Sequence, residues 1–233
     1  MLMTTMQSVL DEICLLLETY KGRDKILRTL SYVTKLVGGL HNNEEIAKKL
    51  LIFSSKMSGA RATLRLLDDI PMIQYTLQYG LGKTEPDRLM AQLGVLSNVI
   101  DQVYYPIEKI SWLAEHKLIS GIDNDKWDTA SSVCWVLSIY LTLIKTFRYI
   151  TVLEKHKGCV SKDGSIPLER ILRLQKYEML TLLRMSIDFV HAVNTLPPGF
   201  LWSSKLKTWQ VGFVGTLSSL LGLYQIFYKR TLK

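Results

Sequence analysis

Proline is scarce, with six residues at positions 71, 86, 106, 167, 197 and 198, and stretches in which β-branched and polar residues alternate are scarcer still. Sheets need such alternation, and long segments of 3.6-residue period stand in its place, so the fold is expected to be all-α. Cysteine is also rare. Cys14, Cys134 and Cys159 make an odd number without a C-x-x-C pair, which argues against a disulfide framework or a zinc site and for free, mostly buried thiols in a reducing compartment. Four histidines, at 41, 116, 156 and 191, lie far apart and lack a second ligand at metal-binding spacing. Acidic residues thin out along the chain. Residues 1–128 hold 15 Lys/Arg against 16 Asp/Glu, whereas 129–233 hold 14 against 5, so the formal net charge of +8 belongs to the C-terminal half.

Motifs of catalysis are missing as well. The stretch YGLGKT at 79–84 looks superficially like a phosphate loop but lacks the first glycine and the preceding strand, and reads as a turn. Asp68-Asp69 and the group Asp123, Asp125 and Asp128 lack the turn glycine and terminal glutamate of a calcium loop, and are explained by helix capping. No serine has a nucleophile-elbow context. An enzyme is not expected, and neither a cofactor nor a metal is implied. The basic residues flank apolar segments instead of forming a dense face, which favours a membrane surface over nucleic acid.

What the chain does have is hydrophobicity, at 48% of residues, with a mean hydropathy of +0.12. The run TWQVGFVGTLSSLLGLYQIFY, residues 208–228, is free of charge. As a helix it spans roughly 31 Å, matching a hydrocarbon core of roughly 30 Å. Trp202, Trp209, Tyr224, Phe227 and Tyr228 near its ends, bracketed by Lys205, Lys207, Lys229 and Arg230, are the interfacial aromatics and snorkelling cations of a crossing helix. Gly215, Ser218, Ser219 and Gly222 within it form small-xxx-small pairs suited to close helix packing and self-association. A second charge-free run, TASSVCWVLSIYLTLI at 129–144, extends to about residue 150 if Lys145 and Arg148 snorkel. For this run a buried core helix and a crossing compete evenly.

The segment IAKKLLIFSSKMSGARATLRLL, residues 46–67, carries an apolar stripe of Ile46, Leu50, Phe53, Met57, Ala60, Leu64 and Leu67 at alternating spacings of 4 and 3. Lys48, Lys49, Lys56, Arg61 and Arg65 accompany it without an acid. Such a helix either lies in the headgroup region of anionic lipid or packs its stripe in a bundle, and pattern alone favours packing. A similar row of Leu168, Leu172, Met179, Leu182, Phe189 and Val193 suits a bundle or oligomer face.

Helices are expected at about 5–20, 24–38, 44–79, 86–118, 127–157, 167–195 and 205–230, with breaks at Gly38-Gly39, at YGLGKTEP and at HKGCVSKDGSIP. The organisation is then an amphipathic region (1–128, containing the striped helix 46–67), a candidate transmembrane helix (129–150), a basic helical loop (151–207), a second transmembrane helix (208–228) and a short basic tail (229–233). The N-terminus has no basic start and Asp11 and Glu12 interrupt its apolar run, so no secretory signal is expected there; the final TLK is no import address of the S-K-L type.

Four blocks taken together, ETYKGRDKILRTLSYVTKL, RATLRLLDDIPMIQYTLQYGLG, DQVYYPIEKISWLAEHKLI and WQVGFVGTLSSLLGLYQ, resemble the peroxisomal membrane proteins of the peroxin-11 family, and within it the gamma branch. The blocks cover nearly the whole chain; 155–185 matches least, and nothing is carried over to it. The resemblance implies a multi-pass protein of the peroxisomal membrane, with both termini cytosolic, that promotes membrane elongation, curvature and fission and so regulates peroxisome size and number. It implies insertion of an amphipathic helix into the cytosolic leaflet, which raises the lipid reading of 46–67 above the packing one. It also implies self-association and work with a fission adaptor and a dynamin-like GTPase. One feature departs from it. The loop 145–207 carries 11 Lys/Arg against 5 acids, so the positive-inside rule places it in the cytosol and the termini across the membrane. The resemblance is followed, because peroxisomal insertion is largely post-translational. The alternatives are a pore for small metabolites and a scaffold recruiting fission factors through 167–195.

Overall fold

A computed structural model describes residues 2–163 and 168–230, and among them every regular element is an α-helix. In chain order these are α1 (Leu2–Glu18), α2 (Tyr20–Leu40), α3 (Glu44–Arg65), α4 (Asp69–Tyr79), α5 (Arg88–Glu115), α6 (Asn124–Asp163), α7 (Leu168–Asn194) and α8 (Thr208–Arg230). Local chemistry sets several ends. The Thr19 hydroxyl accepts the Gly22 amide at 3.0 Å to start α2, and the Asp87 carboxylate accepts the Met90 amide at 2.8 Å to start α5. Asn43 Oδ1 accepts the amides of Glu45 and Ile46 at 3.0 and 3.2 Å to start α3, whose first turn carries Glu44 and Glu45 at the positive end of its dipole.

Several expectations need correction. The single helix expected over 44–79 is two, broken at 66–68. The ring of Pro71 would clash with the Leu67 carbonyl in a continuous helix, yet suits the first turn of α4. Gly38 and Gly39 do not end α2. They thin it for contact: a β-carbon at Gly38 would lie 3.1 Å from Leu50 Cβ, and one at Gly39 would lie 2.6 Å from the Trp209 backbone nitrogen. The break expected at 156–167 is displaced, because α6 continues to Asp163; residues 164–167 lie outside the described ones. Of the thiols, Cys14 is exposed and Cys134 half-buried, and the Cys159 side chain is outside the described residues. The turn at 80–87 forms, with Gly80 and Gly82 at φ of 54° and 70°.

The chain divides into two compact units, Met1–Arg61 with Lys207–Leu223, and Ala62–Leu206 with Tyr224–Lys233. In the first, α1 packs on α2, and both α3 and the opening turns of α8 lie against α2. In the second, α4, α5, α6 and α7 pack in chain order. The last turns of α8 join α7 there, Arg184 Nε donating to Gln225 Oε1 at 2.6 Å and Gln225 Nε2 to Thr181 at 2.8 Å.

Candidate membrane-contacting site

Serines and a salt bridge hold α3 onto α2. Ser31 and Ser54 are buried and exchange hydrogen bonds, each hydroxyl donating to the other's carbonyl, at 3.0 Å from Ser31 and 2.7 Å from Ser54. The Ser58 hydroxyl lies 3.3 Å from that of Ser31, and Arg61 Nε donates to Asp24 Oδ1 at 2.8 Å. Leu51, Ser54 and Arg61, with the exposed Ser58 at their edge, therefore form the face turned to α2. The apolar stripe is centred near Phe53, one residue and so about 100° around the helix.

That offset leaves much of the stripe uncovered. Ile46, Phe53 and Leu64 are each about two-fifths exposed, at 43%, 43% and 42%, and Ala60 is exposed. Leu50 and Met57 sit at the boundary and are half-buried. Leu67 is 71% exposed but lies beyond the end of α3. The basic residues divide in the same way. Lys48 and Lys56 are exposed, and Lys49 makes an exposed pair with Glu45 at 2.6 Å. Arg61 faces Asp24, while Arg65 donates to Glu108 at 2.6 Å, so both arginines are bound to protein carboxylates.

The two long apolar segments fall on α6 and α8, each long and apolar enough to cross a membrane. On α8 the outward row is Phe213, Leu217, Leu220, Tyr224 and Phe227, at spacings 4, 3, 4 and 3. The small residues face the opposite way. A β-carbon at Gly212 would lie 2.4 Å from the Leu36 backbone nitrogen, Ser218 accepts Arg28 Nη2 at 3.2 Å, and Ser219 donates to the Gly215 carbonyl at 2.6 Å. With Gly222 also buried, this row packs inside the chain's own first unit.

Composition did not foretell the partners of Lys145 and Arg148. They meet the acids of the turn at 80–87, Lys145 Nζ donating to Glu85 Oε1 and Arg148 Nε to Asp87 Oδ2, both at 2.7 Å. The Met90 amide, and then the Arg148 guanidinium, hold the Asp87 carboxyl below its ordinary value. Their only sequence signal is the pairing of two acids in the turn with two bases in an otherwise apolar helix. On α7 the expected row splits: Leu168, Leu172 and Met179 are exposed, whereas Val193 is buried and Phe189 meets Tyr140 and Trp202. Among the described residues, no three His, Cys, Asp or Glu side chains are grouped so as to hold a metal ion.

An all-helical chain that turns apolar rows outward, with two helices of bilayer-spanning length, defines a membrane-associated helical bundle. Residues 10–227 match the family model described as Peroxisomal biogenesis factor 11 (PEX11), and the chain belongs to that family. It is 36% identical over 219 residues to Peroxisomal membrane protein 11C of Homo sapiens, covering 90% of each chain, and 36% identical over 228 residues to that of Mus musculus, covering 94% of each. These are the gamma branch. Peroxisomal membrane protein 11A of Rattus norvegicus is 25% identical over 233 residues, 89% of this chain and 92% of that protein. No solved structure matches at a significant level.

Proposed function

We propose that this chain is a multi-pass protein of the peroxisomal membrane, with both termini cytosolic, that elongates and curves the membrane ahead of fission and so sets peroxisome size and number. The observation that carries the reading is the uncovered apolar row of α3, beside the exposed Lys48 and Lys56. Sunk to headgroup depth, Ile46, Phe53 and Leu64 expand one leaflet relative to the other, while the lysines meet anionic phosphates. Leu50, beside Gly38, links this wedge to α2, Met57 is half-buried at its edge, and Arg61 and Arg65 are held by Asp24 and Glu108. Copies brought together by self-association concentrate the curvature, and a fission adaptor with a dynamin-like GTPase severs the resulting tubule. Catalysis has no part in this role. The test is tubulation of anionic liposomes by purified protein: Ile46→Asp with Phe53→Asp is expected to abolish it while helix content stays unchanged, and full tubulation by that variant would sink the reading.

A second reading, a pore for small metabolites, draws on a cavity of about 240 Å³ in the second unit, lined in part by Asn98, Asp101, Thr142 and Lys145. Single-channel recording on the purified protein separates the two.

A further inference from the structure

The second unit buries polar side chains among its apolar ones and turns apolar rows outward. Along α5 the exposed row is Leu89, Leu96, Val99, Val103 and Pro106, broken only by Gln92. Its polar side chains turn the other way: Asn98 is buried, Asp101 accepts the Ser138 hydroxyl of α6 at 2.8 Å, and Gln102 donates to Thr76 of α4 at 3.0 Å. α7 repeats the arrangement over 177–194, where the exposed residues are Met179, Leu183 and Ser186, and Asp188 is only 4% exposed. α6, between them, exposes Val133, Leu137, Tyr140 and Phe147 and buries Ser132 and Thr146 alongside Ile139 and Leu141. A bundle folded by water leaves few such rows bare, because uncovered apolar rows waste the main driving force of folding and buried polar groups oppose it.

The rows also have the dimensions of a bilayer. From Leu89 to Ile107 α5 has one charge, the inward Asp101, over nineteen residues or about 28 Å, close to the ~30 Å of a hydrocarbon core. Residues 177–194 of α7 span about 27 Å with no exposed charge. The ends are marked. At one, Ser111 bonds Asn124 at 3.3 Å, near Trp112 and Trp127 in the chain, and towards the C-terminal end of α7 Trp202 donates to the Val190 carbonyl at 2.9 Å. At the other lie the Lys145–Glu85 and Arg148–Asp87 pairs. Tryptophans and ion pairs limiting an apolar belt are interfacial anchors, and proline within a helix, as at Pro106, is tolerated in such segments.

We propose that α5 and residues 177–194 of α7 lie in the hydrocarbon layer beside α6, their outward rows covered by lipid acyl chains. The proposal rests on α6 being a crossing helix. α6 packs against both neighbours, so their outward rows continue the surface that it presents to lipid. Belts of matching length on separate helices fit a layer of fixed thickness, whereas a protein partner imposes no such match. α4, eleven residues or about 16 Å long, extends the same surface with Ile70, Ile73 and Leu77 over part of that depth.

The test is site-directed spin labelling of the full chain, with Cys14, Cys134 and Cys159 replaced by serine, reconstituted in phosphatidylcholine–phosphatidylserine vesicles. Single cysteines are placed at Val99 and Leu183, at Leu137 of α6 as the reference and at Lys83 in the turn. Val99 and Leu183 are expected to match Leu137, with an oxygen-to-nickel-chelate collision ratio several-fold above that of Lys83. Strong nickel accessibility at Val99 and Leu183 with Leu137 still in lipid overturns this proposal alone, and shielding from both reagents, the mark of a covering second copy, overturns it too. Nickel accessibility at all three positions overturns the crossing of α6 as well. Val103 serves as a second α5 position should the Val99 variant misfold.

Discussion

Gly215 of α8 lies so close to Tyr32 of α2 that a β-carbon there would come within 2.1 Å of the ring Cδ1. No rotation of the ring alone relieves such an approach, because its Cγ would be 2.3 Å away. Gly215→Val is therefore expected to push α8 off α2, at a cost of about 1–3 kcal/mol typical of overpacking. Denaturation midpoints in detergent, compared with the natural chain and with Leu220→Val on the exposed face of α8, measure it; equal midpoints for the two variants would refute the contact.

The reciprocal hydroxyl-to-carbonyl bonds of Ser31 and Ser54 predict non-additivity. Ser31→Ala and Ser54→Ala should each cost about 1–3 kcal/mol, since each leaves a buried carbonyl without that donor. Their shared network implies that the double variant differs from the sum by about 0.5 kcal/mol or more, and a double-mutant cycle on the α2–α3 pair reads that difference.

Arg61 and Lys56 are both basic residues of α3, but they are expected to behave differently. Arg61 and its partner Asp24 keep only 12% and 20% of their side-chain surface exposed, so Arg61→Gln should lower stability by on the order of 1–2 kcal/mol, discounted for that residual exposure. Lys56→Gln should leave stability unchanged and weaken binding to anionic vesicles. Thermal melts and vesicle sedimentation on the two variants separate the roles; identical behaviour in both assays contradicts them.

Acid should loosen the cap of α5. The Asp87 carboxyl titrates below its unfolded value in the folded chain, so its contribution is fully present above that unfolded value, near 3.9, and is lost as pH falls through the depressed folded value. Asp87→Asn is expected to remove that part of the acid dependence while stability above pH 5 changes by a smaller, pH-independent amount. Far-ultraviolet circular dichroism melts across the acid range compare the two chains, and an unaltered acid limb in the variant would falsify the assignment.

Much of this protein was legible in its residues. The helical period, the charge-free run that became α8, and four blocks of family character spread along the chain lie in the sequence itself, because each depends on residues near one another in the chain. The break before α4, missed when 44–79 is read as one helix, has a local cause that the sequence does contain, the clash of Pro71 with the carbonyl four residues earlier. Tertiary structure decided what period cannot encode, namely which way each face points. The spacing of Ile46, Phe53 and Leu64 is the same whether the row is packed or bare, and only the placement of Ser31 against Ser54 left it uncovered. Arg61 belonged to the basic edge of a wedge until the fold set Asp24 beside it. In α5 the polar positions Asn98, Asp101 and Gln102 lower its apparent apolarity and so mask its outward apolar row in the sequence. An apolar row goes inward in water and outward in lipid, so its direction follows from the neighbours that meet the polar face, and those neighbours come from α4 and α6.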